Sequence, residues 1–294
     1  MNTNKDSYAR KVLTKSIIVM VVLILLTLIC LLPLCILFAN ATRTSQDITN
    51  NPMAILPFGG HFIENVKNII KLDEANAINF KTLIGYRNSA IITIGASVCA
   101  VFFSCLTAYG LVVYDFKAST PAYTFILGVM MVPVHVTSVG FVNRMLQMNL
   151  VDTYVPLIVP AIASPAVVFY MRQYMKSNFP LDIVEAARID GTSEFRTFLT
   201  IGLPLMKPAI GVQAIFAFIA NWNNFYTPSM ILISAEPEQA TIPMMVQSIL
   251  SNNQLSDRGV KYVCIALSII PIIIFYILLS RTIVDSVAEG GVKE

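Results

Sequence analysis

Six long apolar runs constrain the fold of this chain more than any other feature of its sequence. A helix needs about 20 mostly apolar residues to cross the hydrocarbon core of a bilayer. Of the 294 residues, 56% are hydrophobic and only 13% are charged, which is unlike a soluble domain. The sequence therefore predicts an all-α membrane protein with six transmembrane helices. The six apolar windows are Ile17 to Ala39, Ser89 to Val113, Thr120 to Val142, Val155 to Met171, Ala209 to Ser234 and Val263 to Ser280.

The distribution of Lys and Arg predicts that both termini are cytoplasmic. With the N-terminus inside, 12 of the 20 basic residues fall in inner segments, and most of the others lie in the long loop from Asn40 to Arg87. Long loops carry little weight in the positive-inside rule. The predicted organisation is a cytoplasmic segment at 1–16, a six-span domain at 17–281 with an inner loop at about 172–208, and a cytoplasmic tail at 282–294. The net charge of +3 gives no reason to expect nucleic acid binding.

The N-terminal apolar run is predicted to remain in the protein as the first span. Basic residues precede it, and Ala39-Asn40-Ala41 has the small residues of a signal-peptidase site. The run is about 23 residues long, however, whereas the core of a signal peptide has about 7 to 15. All five cysteines fall within predicted spans, where a free cysteine behaves as a small hydrophobe, so neither a disulfide nor a metal site is expected.

A polar island in the inner loop, Glu185 to Thr192, stands between two long apolar runs. Pro180 and Asp182 are predicted to open a helix there, and Gly191 can take the left-handed conformation that ends it. Ser193 is predicted to cap a second short helix. The two adjacent alanines of the island leave room for another protein to approach. The pattern indicates a water-facing element on which a partner docks.

Patterns elsewhere in the chain predict a further helix and several bends. Apolar residues recur at helical spacing from His61 to Leu72, which predicts a short surface helix. Small residues four apart, Ala96 with Ala100 and Ser104 with Ala108, predict close helix packing. Prolines in or beside the windows predict bent or broken helices. These are Pro133, Pro156, Pro160, Pro165, Pro228 and Pro271.

The sequence contains no motif for catalysis or nucleotide binding. It has no Gly-Lys pair, hence no Walker-type phosphate loop, and no Gly-x-Ser-x-Gly or His-Glu-x-x-His pattern. No catalytic residue, cofactor or metal ion is therefore expected in this chain. His135 is the one ionisable group placed within a predicted span, and either a polar contact or proton coupling explains it. We expect any driving energy to be delivered by another protein.

The segment from Trp222 to Tyr226 is the densest cluster of aromatic and amide side chains in a predicted span. Sugars stack on aromatic rings while amides satisfy their hydroxyl groups, so the cluster suits a carbohydrate path or gate. A structural hinge or an aromatic belt at the membrane interface explains the same composition. Both interpretations stay open at this point. The cluster consists of Trp222, Asn223, Asn224, Phe225 and Tyr226.

The inner loop resembles the EAA loop of the permease subunits of ATP-binding-cassette (ABC) sugar importers, in the branch of the maltose permease G subunit. That loop reads Glu-Ala-Ala, two residues, Asp-Gly, then about nine residues before an apolar residue, any residue and Leu-Pro. The matching residues here are Glu185, Ala186, Ala187, Asp190, Gly191, Ile201, Leu203 and Pro204. Other stretches that look like the family follow in the expected order: Asn65, Asn88-Ser89, Ala108-Tyr109, Leu150 to Thr153 and Trp222-Asn223.

The resemblance implies a type I ABC importer transmembrane fold and a set of partners. Two permease subunits would pair, two ATPase subunits that bind ATP and Mg would lie beneath them, and an extracytoplasmic binding protein would deliver a sugar or oligosaccharide. The resemblance assigns ATPase coupling to Glu185, Ala186, Ala187, Asp190 and Gly191. It places the protein in a bacterial inner or plasma membrane as a multi-pass subunit.

Two alternatives remain at this stage. The same machinery carries solutes other than sugars, although an anionic solute is expected to bring basic residues into the spans. A membrane scaffold that recruits a cytoplasmic partner without moving any solute also accounts for a water-facing docking element.

Overall fold

The computed structural model describes residues 3–56, 58–74, 80–234, 238–253 and 255–291, with side chains described between residues 12 and 278 of those ranges. Every regular element in these ranges is helical, which confirms the predicted all-α class. The helices are α1 (Thr3–Ala41), α2 (Ser45–Asn50), α3 (Phe62–Glu74), α4 (Thr82–Val113), α5 (Ser119–Met130), α6 (Val134–Gln147), α7 (Val155–Ile158), α8 (Pro165–Asn178), α9 (Leu181–Ile189), α10 (Glu194–Thr197), α11 (Leu203–Leu205), α12 (Lys207–Trp222), α13 (Tyr226–Ile231), α14 (Ile242–Ser251) and α15 (Arg258–Gly291). A 3₁₀ turn, Val159–Ile162, follows α7, and a π turn, Phe198–Gly202, joins α10 to α11.

Among the described residues, four segments are individually long and apolar enough to cross a membrane. They are Val12–Ala41, Thr82–Val113, Val155–Asn178 and Arg258–Leu278. Two more candidates qualify only as bent pairs: α5 with α6, bent by 94°, and Glu194–Leu205 with α12, bent by 79°. The predicted total of six is reached when each bent pair counts as one span.

Three predicted windows differ from the helices that occupy them. The window from Thr120 to Val142 holds two helices that meet at Met131–Pro133, because proline lacks an N–H and disfavours helical geometry in the residue before it. The window from Ala209 to Ser234 is interrupted after Trp222. The window ending at Met171 continues helically to Asn178, since charged residues end a hydropathy window but not a helix. Pro271, by contrast, lies inside the uninterrupted α15.

The first of two compact units comprises residues 1–78 and 249–267. It contains the predicted surface helix as α3, which begins at Phe62 and ends at Glu74. Asn65 on α3 is buried and donates from Nδ2 to the carbonyl oxygens of Ala41 and Arg43, 3.0 Å away in each case. A helix leaves its last carbonyl groups without intrahelical partners. Asn65 satisfies that of Ala41 at the end of α1 and also the carbonyl of Arg43 in the turn that follows. This is the structural role of one residue that the family resemblance singled out.

The second unit comprises residues 79–248 and 268–294, and α4 is its central helix. Helices α8 and α12 both pack along α4. The four small residues predicted to allow close packing, Ala96, Ala100, Ser104 and Ala108, are all buried. This confirms the prediction, because a side chain of one or two heavy atoms lets neighbouring helix backbones approach.

Polar side chains at the start of α4 hold the segment that leads into α14. Asn88 is fully buried and donates from Nδ2 to the carbonyl oxygens of Glu238 and Ala240, at 2.8 and 3.0 Å. The hydroxyl of Ser89 accepts the backbone N–H of Ile242 at 2.9 Å. The side chains of Asn88 and Ser89 therefore provide hydrogen-bond partners for backbone groups of a non-helical segment, which cannot pair these groups by itself.

We predict that Asn88→Ala destabilises the protein by about 1–3 kcal/mol, because two partly buried hydrogen bonds to backbone carbonyl groups lose their donor. The expected measurement is a fall of several degrees in the Tm of the detergent-purified protein. Asn223→Ala, at an exposed position, is the matched control and should leave Tm unchanged. Equal Tm values for the two variants would contradict this role of Asn88.

Candidate functional site

The elbow, defined here as residues 181–206, contains the polar island and turns the chain between α8 and α12. Its first helix, α9, begins one residue after Pro180 and is followed by Gly191 at a φ of +75°. The predicted left-handed glycine is therefore confirmed. The N–H of Thr192 returns to the carbonyl of Ala187 at 3.0 Å and closes the turn. Ser193 occupies the predicted N-cap position of α10, but its side chain makes no capping hydrogen bond.

The island divides into an outward and an inward face. Glu185, Ala186, Asp190 and Gly191 are exposed. Ala187, in contrast, is 6% exposed and belongs to the interior of the unit. The four exposed residues therefore form the surface on which another protein could dock. Ala187 instead allows α9 to pack closely on its own chain.

An exposed bracket, made of Arg188, Glu194 and Tyr114, joins the two helices of the elbow to the end of α4. Arg188 donates from Nε to Oε1 of Glu194 at 2.7 Å and from Nη2 to Oε2 at 3.3 Å. The hydroxyl of Tyr114, the residue after α4, donates to Oε2 of Glu194 at 2.8 Å. Burial, then the hydrogen bond to Glu194, raises the pKa of Tyr114 to about 12, so this hydroxyl stays a donor at physiological pH. The bracket fixes the angle between α9 and α10.

A buried aromatic cluster beneath the bracket fastens the elbow to α4. The ring of Tyr109, near the end of α4, packs edge-on against Phe198 at 5.2 Å, Phe179 at 6.1 Å and Tyr114 at 6.2 Å between centroids. A Cβ at Gly202 would lie 3.0 Å from Cε2 of Tyr109. The glycine of the Ile-Gly-Leu-Pro sequence is thus explained by close approach of this ring.

A cavity of about 770 Å³ lies within the second unit, bordered by α4, α6, α8, α12 and α13. None of its described lining residues is charged. Its polar side chains are Thr137, Ser138, Ser164, Gln213, Asn221, Asn224, Tyr226 and Thr227. These hydroxyl and amide groups can form hydrogen bonds with a neutral polar solute.

The predicted path residues separate into two groups. Asn224 and Tyr226 line the cavity, and the hydroxyl of Tyr226 is 2.8 Å from that of Ser138. Trp222 is absent from the lining: it is 4% exposed, stacks on Phe218 at 5.6 Å and donates from Nε1 to the carbonyl oxygen of Ser268 at 3.0 Å. Its contacts support packing rather than solute contact.

The rest of the cluster forms the break between α12 and α13. Asn223 and Phe225 are exposed and flank the break. Asn224 also accepts the N–H of Thr227 at 3.2 Å through Oδ1, which satisfies one free donor at the start of α13. Cavity lining and the helix break thus involve different but overlapping residues of one cluster, with Asn224 in both.

Sequence reasoning missed two polar residues of α12 that precede the cluster, Gln213 and Asn221. Together with Ala217 and Asn224 they are spaced by four, four and three positions, and all four residues line the cavity. This helical spacing was available as a signal, because residues three or four apart share one helix face. The prediction was instead based on the aromatic and amide composition of positions 222–226.

His135, the ionisable residue predicted within a span, lies in the first turn of α6. Its ring packs edge-on against Tyr226, 4.6 Å between centroids, and its carbonyl oxygen accepts the hydroxyl of Ser138 at 2.8 Å. The ring contact is aromatic, and the hydrogen bond with Ser138 is made by the backbone of His135 rather than by its imidazole. These contacts place His135 beside Ser138 and Tyr226 of the cavity lining.

We predict that Gly202→Ala destabilises the protein by about 1–3 kcal/mol, because the added methyl group overpacks the ring of Tyr109. Gly110→Ala is the control. Gly110 follows Tyr109 in α4, and no other atom lies within 4 Å of a Cβ built there. Alanine is the better helix former, so Gly110→Ala should be neutral or stabilising by up to about 1 kcal/mol. Thermal unfolding of both variants in detergent checks this, and an unchanged Tm for Gly202→Ala would refute the packing argument.

Comparison with known proteins identifies the family. The model of the family described as "Binding-protein-dependent transport system inner membrane component" matches residues 82–288. The arabinooligosaccharides transport system permease protein AraQ of Bacillus subtilis (strain 168) is 35% identical over 210 residues, which cover 70% of this chain and 72% of the relative. The sn-glycerol-3-phosphate transport system permease protein UgpE of Escherichia coli (strain K12) is 27% identical over 259 residues, 88% of this chain and 90% of the relative.

A solved structure confirms the predicted importer transmembrane fold. The crystal structure of a bacterial ABC transporter involved in the import of the acidic polysaccharide alginate contains a chain that matches with a TM-score of 0.74. The match covers 92% of this chain and 97% of that chain at 20% sequence identity. The chain described here is a member of the binding-protein-dependent transport system inner membrane component family.

Proposed function

We propose that this chain is a permease subunit of an ATP-driven, binding-protein-dependent importer of a sugar or oligosaccharide. It forms the translocation path with a second homologous permease in a bacterial plasma membrane, and an extracytoplasmic binding protein supplies the solute. Two ATPase subunits, which hold ATP and Mg, drive it through the elbow. The observation that carries this proposal is the exposed, braced α9 in a chain whose family consists of importer membrane components.

The contacts of the elbow support its role in coupling. Glu185, Ala186, Asp190 and Gly191 present a short exposed helix end and two carboxylates, which suit insertion into a cleft with a basic group. Behind this surface, the bracket and the Tyr109 ring join the elbow to α4. A displacement of the elbow would therefore move α4, as well as the adjoining α8 and α12.

The chemistry of the cavity supports a neutral solute. A charged solute loses hydration when it enters a protein cavity, and an oppositely charged group normally compensates for that loss. The described lining of this cavity offers hydroxyl and amide groups and no charged side chain. These groups fit the hydroxyls of a sugar, the class of solute named for the relative AraQ.

A second candidate is a phosphorylated solute carried by the same machinery. The relatives named for sn-glycerol-3-phosphate align with 88% of this chain, more than the 70% that aligns with AraQ. The absence of a basic residue from the described cavity lining weighs against this candidate. The scaffold alternative is disfavoured by the cavity with its hydroxyl and amide groups, because a protein that moves no solute does not require one.

We predict that Glu185→Ala weakens docking of the ATPase subunits about tenfold, equivalent to about 1.4 kcal/mol, and lowers solute uptake in parallel. Gly191→Val should have a similar effect, since a β-branched side chain is strained in the left-handed conformation of this turn. Copurification with the ATPase subunits and uptake by cells measure the two effects. Glu64→Ala, an exposed carboxylate on α3, is the control. Undiminished docking and uptake in both elbow variants would refute the coupling role.

We predict that Gln213→Leu lowers uptake of a neutral oligosaccharide roughly fivefold to tenfold, because it removes one hydrogen-bonding group from the cavity wall. Asn223→Leu, next to the break but outside the lining, should retain uptake. Transport by the reconstituted complex would be compared for arabino-oligosaccharides and glycerol 3-phosphate. Preference for the phosphate ester would favour the second candidate, and equal uptake by the two variants would remove Gln213 from the path.

A further inference from the structure

An uncharged loop follows α2 in the first compact unit and leaves its apolar side chains exposed. We call residues 53–56 and 58 of this loop the finger. Its large apolar side chains are all exposed, from 42% for Ile55 to 74% for Met53, and the other two are Leu56 and Phe58. Residues 48–60 include no Asp, Glu, Lys, Arg or His. Exposed apolar patches of this kind are rare on a water-facing surface and mark a contact with a partner or a membrane.

Hydrogen bonds attach both ends of the finger to the end of α1. Before the finger, the carbonyl oxygen of Pro52 accepts from Nδ2 of the fully buried Asn40 at 2.8 Å. After it, the N–H of Gly59 donates to Oγ1 of Thr42 at 2.9 Å. A Cβ at Gly59 would clash with the carbonyl oxygen of Thr42, so the two backbones approach as closely as a glycine allows. The finger is therefore held beside the last turn of α1.

The length of α1 sets the depth of this attachment in a bilayer. The helix supplies the candidate span Val12–Ala41, and none of its most apolar stretch is buried. Lys15 is the last charged residue before that stretch, so the hydrocarbon begins near Ile17. A core of about 30 Å is crossed by about 20 helical residues and ends near Leu37. Asn40 lies about 5 Å beyond Leu37, within the headgroup region of about 5–8 Å on each side of the core.

Helix α3 shows a similar arrangement at the same end of α1. Asn65 and Ile69 are buried, and Asn65 donates to the carbonyl oxygen of Ala41. Ile63 and Ile70, in contrast, are exposed. They lie seven positions apart on one face of the helix, away from the buried pair. Apolar residues that turn away from the interior at headgroup depth are typical of a helix that lies on a membrane surface.

We propose that the finger inserts into the lipid bilayer at the membrane surface where α1 ends. Its apolar side chains enter the boundary between headgroups and acyl chains, and its attachment to α1 fixes the depth that they reach. A soluble protein fits less well as the partner, because protein interfaces have a polar rim and residues 48–60 provide no charge. The proposal requires only that the chain lies in a membrane, and it is independent of the solute and of ATPase coupling.

Photocrosslinking of the intact transporter complex identifies what the finger contacts. Phe58 is replaced by the photoreactive residue p-benzoylphenylalanine, and the complex is irradiated in nanodiscs of phosphatidylcholine. Mass spectrometry of the subunit should then show covalent addition of one phospholipid molecule. Gln46, an exposed polar residue of α2, is the control site for the same photoreactive residue. The lipid adduct at position 58 should exceed that at position 46 at least about fivefold, because only the apolar segment stays among acyl chains.

Two further variants keep the test decisive. Leu56→Asp, added to the subunit that is photoreactive at position 58, should lower the lipid adduct about fivefold, because a carboxylate is unfavourable among acyl chains. Met53 is a second site for the photoreactive residue. Its side chain is the most exposed of the finger, so the replacement disturbs little packing. If the complex substituted at position 58 does not assemble, the comparison of positions 53 and 46 decides the outcome.

Two results would overturn the proposal. The first is an equal yield of lipid adduct at the finger and at position 46. The second is crosslinking of the finger to another subunit, or to added binding protein, in place of lipid, which would show that a protein covers it. Docking and uptake by the elbow variants described above are separate measurements, so either proposal can fail while the other stands.

Discussion

A backbone that leaves its helix within a membrane must find its hydrogen bonds inside the protein, and this constraint governs the second unit. Bilayer hydrocarbon offers no water to unpaired N–H and carbonyl groups. The breaks at residues 131–133 and 223–225 lie beside α6 and α13, where polar side chains collect. Asn224 illustrates the solution, since it accepts a backbone N–H of α13 while its side chain also lines the cavity. The side chains that stabilise the broken helices and the side chains that line the cavity are therefore partly the same.

The turn of the elbow was readily predicted because it has a local physical cause. Gly191 could be placed from sequence, since a left-handed turn favours glycine whatever surrounds it. Burial of Ala187 was not predictable, because it depends on which face of α9 meets the rest of the chain. The same limit applies to Gly202, whose requirement arises from a ring about ninety residues earlier in the sequence.

The hydropathy windows located the spans well, but they did not show where the helices within them are broken. Pro133 coincides with a bend of 94°, whereas Pro271 sits in a continuous helix, although both are prolines in apolar runs. The difference lies in the surroundings, which a window average does not represent. Trp222 shows the complementary error, because it was judged by its chemical type. Its position depends on contacts with Phe218 and Ser268, which the sequence does not show.

The attachment of Tyr109 to the elbow has a geometric consequence through the length of α4. This helix has 32 residues and is therefore about 48 Å long. Because it is held near one end, a tilt of roughly 5° would displace its far end by about 4 Å, by simple proportion to that length. Ile92 and Ala100, which line the cavity, lie partway along and would sweep through smaller arcs. A rigid helix of this length would thus turn a slight rotation at the elbow into an ångström-scale displacement at its other end.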